Sequence, residues 1–107
     1  MNPDSLLEEF QRDVVPLLKK KYNPEKIIIF GSQATKTSHE GSDVDVILVS
    51  EYFSSIPFIS RMTEILMNIP FRIHVDYICY TPEEFYHLSK TSAIVRGALE
   101  GPVIALV

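Results

Sequence analysis

The sequence contains one cysteine, no tryptophan and no long apolar run. Cys79 cannot form an internal disulfide, which indicates a reducing compartment, and its apolar surroundings predict a small core residue rather than a nucleophile. No stretch approaches the ~18 continuous apolar residues of a membrane span. The N-terminus lacks the basic segment and apolar run of a signal peptide. The sequence therefore predicts a cytoplasmic protein.

Positively charged residues are also few, since the chain has 10 Lys and Arg but 14 Asp and Glu, which gives a net charge of -4. A general electrostatic affinity for nucleic acid is therefore disfavoured, and so is template-directed polymerisation. The 46% hydrophobic and 22% charged residues are typical of a soluble globular protein. At 107 residues without a repeat or linker, the chain is predicted to be a single domain spanning 1–107.

The sequence between Ile27 and Ser50 reads as strand, glycine turn, polar loop and strand. The apolar run from Lys26 to Phe30 predicts a strand buried on both faces, and Val44 to Val49 predicts the second strand. On that second strand the valine and leucine side chains would face a helix-covered core. Asp43 and Asp45 would then lie on the opposite, open face, where the neighbouring apolar side chains still need cover from a helix, a ligand or a partner.

Asp43 and Asp45 have the spacing of a cation site. Residues i and i+2 of a strand share a face, with alpha-carbons about 6.6 Å apart. Two carboxylates at that spacing can converge on one cation or flank two ions roughly 3.5–4 Å apart. The Gly31-Ser32 turn would place small residues and free backbone N–H groups beside them, as in turns that cradle phosphate.

A third strand is predicted from Phe71 to Tyr80, with Asp76 in its middle. If it pairs beside the second strand, Asp76 lies about 4.8 Å away in the hydrogen-bonding direction and can join the other aspartates. Three clustered carboxylates repel unless cations occupy the site. The alternative is an Asp76 that faces solvent or forms a salt bridge, for which Arg72 is a candidate partner. His74, on the same predicted face, is a candidate phosphate or acceptor contact.

Helices are predicted around these strands. Ser5 has the position of an N-cap for the first helix, and Pro16 predicts a kink or two short helices that meet there. An amphipathic helix is predicted within Ser54–Asn68. Thr81 is the predicted N-cap of a further helix whose capping box is closed by Glu84.

The C-terminal part is predicted to carry a second helical piece from about Thr91 to Glu100. The wholly apolar run from Val103 to Val107 can form a short edge strand or a tail that contacts a partner.

Gly31-Ser32, ten intervening residues, and Asp43-Val44-Asp45 opening an apolar strand resemble the signature of the DNA polymerase beta-type nucleotidyltransferase superfamily. The chain is most similar to its minimal nucleotidyltransferase (MNT) branch. The resemblance implies an α/β (α+β) nucleotidyltransferase fold: a small mixed β-sheet with helices packed mainly on one face.

The resemblance implies a role for each site residue. Asp43, Asp45 and Asp76 would be catalytic and would hold two Mg²⁺ ions, and Asp76 would lie nearest the attacking hydroxyl. A second set would contact the triphosphate of ATP: Gly31, Ser32, Lys36 and Ser42. The reaction would be in-line attack on the α-phosphorus with release of pyrophosphate.

One departure from the family pattern follows the glycine turn. Many minimal members continue with Arg-Gly after Gly-Ser-x-Ala, whereas here Ala34 precedes Thr35 and Lys36. Lysine offers a point charge in place of the arginine fork. The departure bears on rate and nucleotide preference rather than on metal binding.

Proteins resembling this one are often antitoxins that transfer AMP from ATP to a tyrosine of a helical HEPN-domain toxin. The resemblance therefore implies a protein adenylyltransferase that forms a hetero-oligomer with such a toxin or a homodimer. Two alternatives remain open: a non-catalytic binding antitoxin or interaction module, and a nucleotidyltransferase acting on a small molecule such as an aminoglycoside.

Overall fold

The computed structural model describes residues 3–30, 44–93, 95, 96 and 103–105. Within these ranges one sheet contains the strands β1 (Lys26–Phe30), β2 (Val44–Val49), β3 (Val75–Tyr80) and β4 (Val103–Ala105). Their order is β3-β2-β1-β4. β1 is antiparallel to β2 and β4, whereas β2 and β3 are parallel. The predicted mixed sheet is confirmed, and the C-terminal apolar run supplies an edge strand.

The helices are α1 (Pro3–Asp13), α2 (Val15–Tyr22), α3 (Phe58–Asn68) and α4 (Pro82–Thr91), with a short 3₁₀ helix at Glu51–Ser55. In the part of the chain that is described, none of them is long and apolar enough to cross a membrane. Helical assignment resumes after α4 at Ala93, Val95 and Arg96. The rest of the second helical piece predicted to follow α4 lies outside the described residues.

Two short helices meet near Pro16, as one of the two alternatives predicted. Val14 separates α1 from α2 with φ -102° and ψ -44°, and Pro16 lies in the first turn of α2, where its missing N–H would have no intrahelical partner.

The prediction of Ser5 as N-cap is wrong, because α1 already begins at Pro3. A proline is favoured in the first helical turn since its φ is preset for the helix.

The larger hydrophobic core lies between one face of the sheet and α1, α2 and α3. Helix side chains meet alternating side chains of β1, β2 and β3 there. Fully buried members include Phe10, Leu18, Ile29, Leu48 and Ile65. The valine–leucine face of β2 is therefore the helix-covered face, as predicted.

The opposite face of the sheet is also partly covered, by α4 and the residues after it. Ile47 and Val49 are buried against Phe85 of α4 and against Val95. The sequence left open whether a helix, a ligand or a partner covers these side chains, and in the structure a helix does so. Among the described residues, the aspartate face is therefore least covered toward the end of the sheet at which β2 begins, where Asp45 lies.

β3 begins at Val75, so the predicted start at Phe71 is wrong. Phe71 instead packs its ring edge-on against Phe10 of α1, with ring centroids 5.6 Å apart. The residues before Val75 therefore form an irregular segment, and Phe71 in that segment packs against the core. His74 precedes the strand, and its carbonyl accepts a hydrogen bond from the Val44 N–H at 3.4 Å.

Candidate functional site

Two aspartates from different strands meet at the open end of the sheet. Asp45 of β2 and Asp76 of β3 are register partners in the parallel pair. Register partners on neighbouring strands have side chains on one face, and their backbones lie about 4.8 Å apart. Both side chains are partly exposed and line one cleft. The predicted pairing of the third strand beside the second is confirmed.

The remaining predicted site residues fall in the segment 31–43, outside the described residues: Gly31, Ser32, Lys36, Ser42 and Asp43. The structure does describe the two residues that flank this segment. Phe30 is the register partner of Asp45, and Val44 is the partner of Val75. The segment thus leaves and re-enters the sheet beside the aspartate pair.

His74 contacts the site through Asp76. Its Nε2 lies 2.8 Å from Asp76 Oδ1. Because an ionised carboxylate only accepts hydrogen bonds, the imidazole N–H is the donor in this pair. About half of each side chain is exposed, so the contact lies at the surface. His74 therefore holds one oxygen of Asp76 and helps to fix the orientation of its carboxylate.

The donor set suits a hard divalent cation. Mg²⁺ prefers oxygen ligands and is commonly bound through one or two carboxylates together with substrate phosphates. Asp45 and Asp76 supply carboxylates of that kind side by side. Within the described part of the chain no group of three or more His, Cys, Asp or Glu side chains is gathered. Asp43, the third carboxylate predicted for this site, lies outside the described residues.

The aspartates form one end of a cleft of about 510 Å³. Phe30 and Ile78 line it on the sheet, and Phe58 and Ile59 of α3 line it from the side. Phe58 reaches the aspartate face, since its ring stacks on Tyr80 with centroids 5.8 Å apart. An acidic end and an apolar wall therefore share one space, of a volume typical for small-ligand sites.

A buried arginine fixes α3 against β3 beside this cleft. Arg61 is only 5% exposed, and its guanidinium donates to the Cys79 carbonyl at 3.0 Å and to the Ile56 carbonyl at 2.9 Å. It also donates to both carboxylate oxygens of Glu84 at 2.6 and 3.2 Å. The hydrogen bond from Arg61 holds the pKa of Glu84 below its usual value. The sequence analysis missed Arg61, because its partners lie far along the chain.

Cys79 and Tyr77 lie on the buried side of β3. Burial raises the pKa of the Cys79 thiol to about 12, and the residue is 2% exposed. Burial likewise raises the pKa of Tyr77, whose hydroxyl has no hydrogen-bond partner among the described residues. The prediction that Cys79 is a core residue is confirmed.

The sequence matches a known family, and the fold is similar to that of a solved structure. Residues 12–94 match the family model described as Polymerase beta, Nucleotidyltransferase, a range that includes the aspartate pair. A solved structure of a proposed nucleotidyltransferase from Sulfolobus solfataricus is similar, with a TM-score of 0.56 and 24% identity over 74% of this chain and 70% of that one. That likeness concerns the fold. No curated protein matches the chain.

Proposed function

The chain belongs to the polymerase beta nucleotidyltransferase family, and from that premise we propose that it transfers AMP from ATP, with Mg²⁺, to the hydroxyl of a tyrosine in a partner protein. The family supports nucleotidyl transfer as the general activity. Mg²⁺ as the metal, ATP as the nucleotide and tyrosine as the acceptor are parts of the proposal. The observation that carries the proposal is the alignment of Asp45 with Asp76 on the open end of the sheet.

In the proposed reaction Asp45 and Asp76, together with Asp43, would hold Mg²⁺, and the metal would supply neutralisation of phosphate charge and a lower pKa of a bound hydroxyl. The acceptor oxygen forms a bond to the α-phosphorus of ATP, and the bond from that phosphorus to the bridging oxygen breaks. Pyrophosphate leaves with that oxygen, and Asp76 takes the proton of the acceptor hydroxyl. Such transfer depends mainly on positioning and charge neutralisation.

The proposed partner is a helical HEPN-domain toxin, and the chain would act as its antitoxin. This part rests on the resemblance to minimal nucleotidyltransferases. It is supported by large apolar side chains that α3 exposes: Phe58, Ile59 and Met67. Exposed apolar side chains gathered on one element are typical of protein contact surfaces. The complex would be a hetero-oligomer in which the partner presents its tyrosine at the aspartate pair.

The first test is ATP binding by calorimetry on the whole chain with and without Mg²⁺. We expect binding that needs Mg²⁺ and is lost in Asp45→Asn. Glu51→Gln is the matched control, because it also neutralises one carboxylate of an exposed residue but lies away from the site. Binding that survives in Asp45→Asn, or that needs no metal, would contradict the proposed site.

The second test addresses the acceptor. The chain is incubated with its co-purified partner, ATP and Mg²⁺, and the partner is examined by intact mass spectrometry and peptide mapping. We expect one added AMP on a tyrosine, absent with Asp45→Asn. If the chain binds Mg–ATP and the partner stays unmodified while still being neutralised, the chain is a binding antitoxin rather than a transferase.

A further inference from the structure

The cleft at the aspartate pair extends to both sides of it. The sheet order is β3-β2-β1-β4, so Asp45 on β2 has β1 on one side and β3 on the other. On the β1 side the cleft is lined by Phe30, and the predicted phosphate-contacting residues follow directly after that strand. On the other side it continues past Asp76 and Ile78 of β3 to Phe58 and Ile59 of α3. The cleft therefore has an apolar part that is separated from the predicted phosphate-contacting residues by the aspartate pair.

The geometry of in-line displacement determines which reactant lies on each side of the aspartate pair. The attacking oxygen and the leaving oxygen stand on opposite sides of the phosphorus. If the triphosphate lies on the β1 side, the attacking hydroxyl must approach from the β3 side, where the cleft continues to α3. This step rests on the proposed function, since it takes Asp45 and Asp76 as the centre of the transfer.

The lining of the cleft selects the kind of acceptor. Apart from the acidic pair and Arg61, the residues that line the cleft are largely aromatic or aliphatic, including Phe30, Ile78, Phe58 and Ile59. A ring with a hydroxyl at its far end fits such a space, because the ring packs on the apolar wall while the oxygen reaches the acidic end. A nucleic-acid acceptor would meet a chain of net charge -4, and a polycationic sugar would meet an apolar wall.

We propose that the cleft between β3 and the start of α3 binds the phenol of the acceptor tyrosine, with Phe58 and Ile59 as the residues that select it. The phenol ring packs against these two side chains, and its oxygen lies at Asp76. Ile59 is 87% exposed, so an incoming ring would cover it. This assigns to α3 a role in acceptor choice rather than in nucleotide binding.

The test uses N-acetyl-L-tyrosinamide as the probe and the full chain labelled with ¹⁵N. We expect amide shifts confined to residues 58–62 and 76–78, with much weaker binding of N-acetyl-L-threoninamide. Ile59→Ala should raise the dissociation constant for the tyrosine probe about fivefold, since it removes apolar contact worth roughly 1 kcal/mol. Met67→Ala is the matched control, because Met67 is 79% exposed on the same helix and does not line the cleft.

A second variant tests the other residue that is proposed to select the acceptor. Phe58→Ala is tested in the same way, with circular dichroism to check folding, since the Phe58 ring also stacks on Tyr80. Neither variant should change the affinity for Mg–ATP. A loss of ATP affinity in both variants would assign the cleft to the nucleotide and overturn the proposal. Equal binding of the two amide probes, or shifts elsewhere, would overturn it as well.

This binding assay needs no transfer chemistry. Failure of the proposed transferase activity would leave the tyrosine-probe binding in place, and failure of the cleft proposal would leave Mg–ATP binding in place. The two results are therefore distinguishable in the same protein preparation.

Discussion

Removing the Glu84 carboxylate is expected to destabilise the fold by about 2 kcal/mol, from two contributions of about 1 kcal/mol each. Glu84 Oε1 accepts from the Thr81 N–H at 2.9 Å and completes the capping box of α4, and the loss of a helix cap costs about 1 kcal/mol. The bonds from Arg61 add about 1.5–3 kcal/mol for a charged pair. Since 41% of the Glu84 side chain is exposed, solvent screening reduces that contribution to about 1 kcal/mol.

The assay is urea denaturation of wild type, Glu84→Ala, Arg61→Met and the double variant. Arg61→Met should cost more than Glu84→Ala, because it also leaves the Cys79 and Ile56 carbonyls without their donor. The coupling energy of the cycle should be about 1 kcal/mol. Glu83→Ala is the control, since the neighbouring carboxylate is exposed and its loss should stay within about 0.5 kcal/mol.

The same pair predicts a pH dependence. Because the hydrogen bond from Arg61 lowers the folded-state pKa of Glu84 below 4.5, its stabilisation is complete well above that pH and is lost as the pH falls through the folded pKa. The stability gap between wild type and Glu84→Ala should therefore shrink in acid. A coupling energy near zero, or a gap that is independent of pH, would refute the argument that Arg61 and Glu84 act as a pair.

Three further predictions concern single side chains. His74→Ala should weaken Mg²⁺ binding in the presence of ATP about tenfold, the effect of losing a residue that supports a ligand, and His74→Gln should restore much of it; an unchanged affinity in His74→Ala would show that Asp76 needs no support. Ile65→Ala should cost about 2–5 kcal/mol in urea denaturation, because Ile65 is fully buried, and a loss below about 1 kcal/mol would contradict tight packing there. Cys79 should react with a thiol reagent only on unfolding, because burial raises its pKa to about 12, and rapid labelling of the native protein would contradict this.

Local sequence signals predicted much of the scaffold. The capping box at Thr81 and Glu84 forms as expected, because both partners lie within one helical turn. The strand and helix periodicities correctly identified the two faces of β2. The sequence also indicated that Asp76 would lie near Asp45 if the third strand paired beside the second, and the strands do pair in that way.

Features that depend on distant segments could not be predicted from local patterns. Nothing in the sequence around Arg61 shows that it would be buried, because its partners Cys79 and Glu84 follow 18 and 23 residues later. The position of Phe58 beside the aspartates depends on how α3 packs against the edge of β3. The start of β3 was misplaced because apolar alternation at Phe71 serves a contact with α1.

Because β2 pairs with β3, the site depends on whether a shift along either strand is by an odd or an even number of residues. Side chains alternate between faces along a strand, so a shift of one residue sends every side chain of β3 to the other face. An insertion in the connection between the strands leaves Asp45 opposite Asp76 as long as it spares buried residues of that connection such as Arg61 and Ile65. A single inserted residue between Val75 and Asp76, with the pairing of Val75 retained, would turn Asp76 into the hydrophobic core. The exposed parts of the crossover can therefore change in length, whereas an odd number of residues inserted in either strand before its aspartate would place the two carboxylates on opposite faces of the sheet.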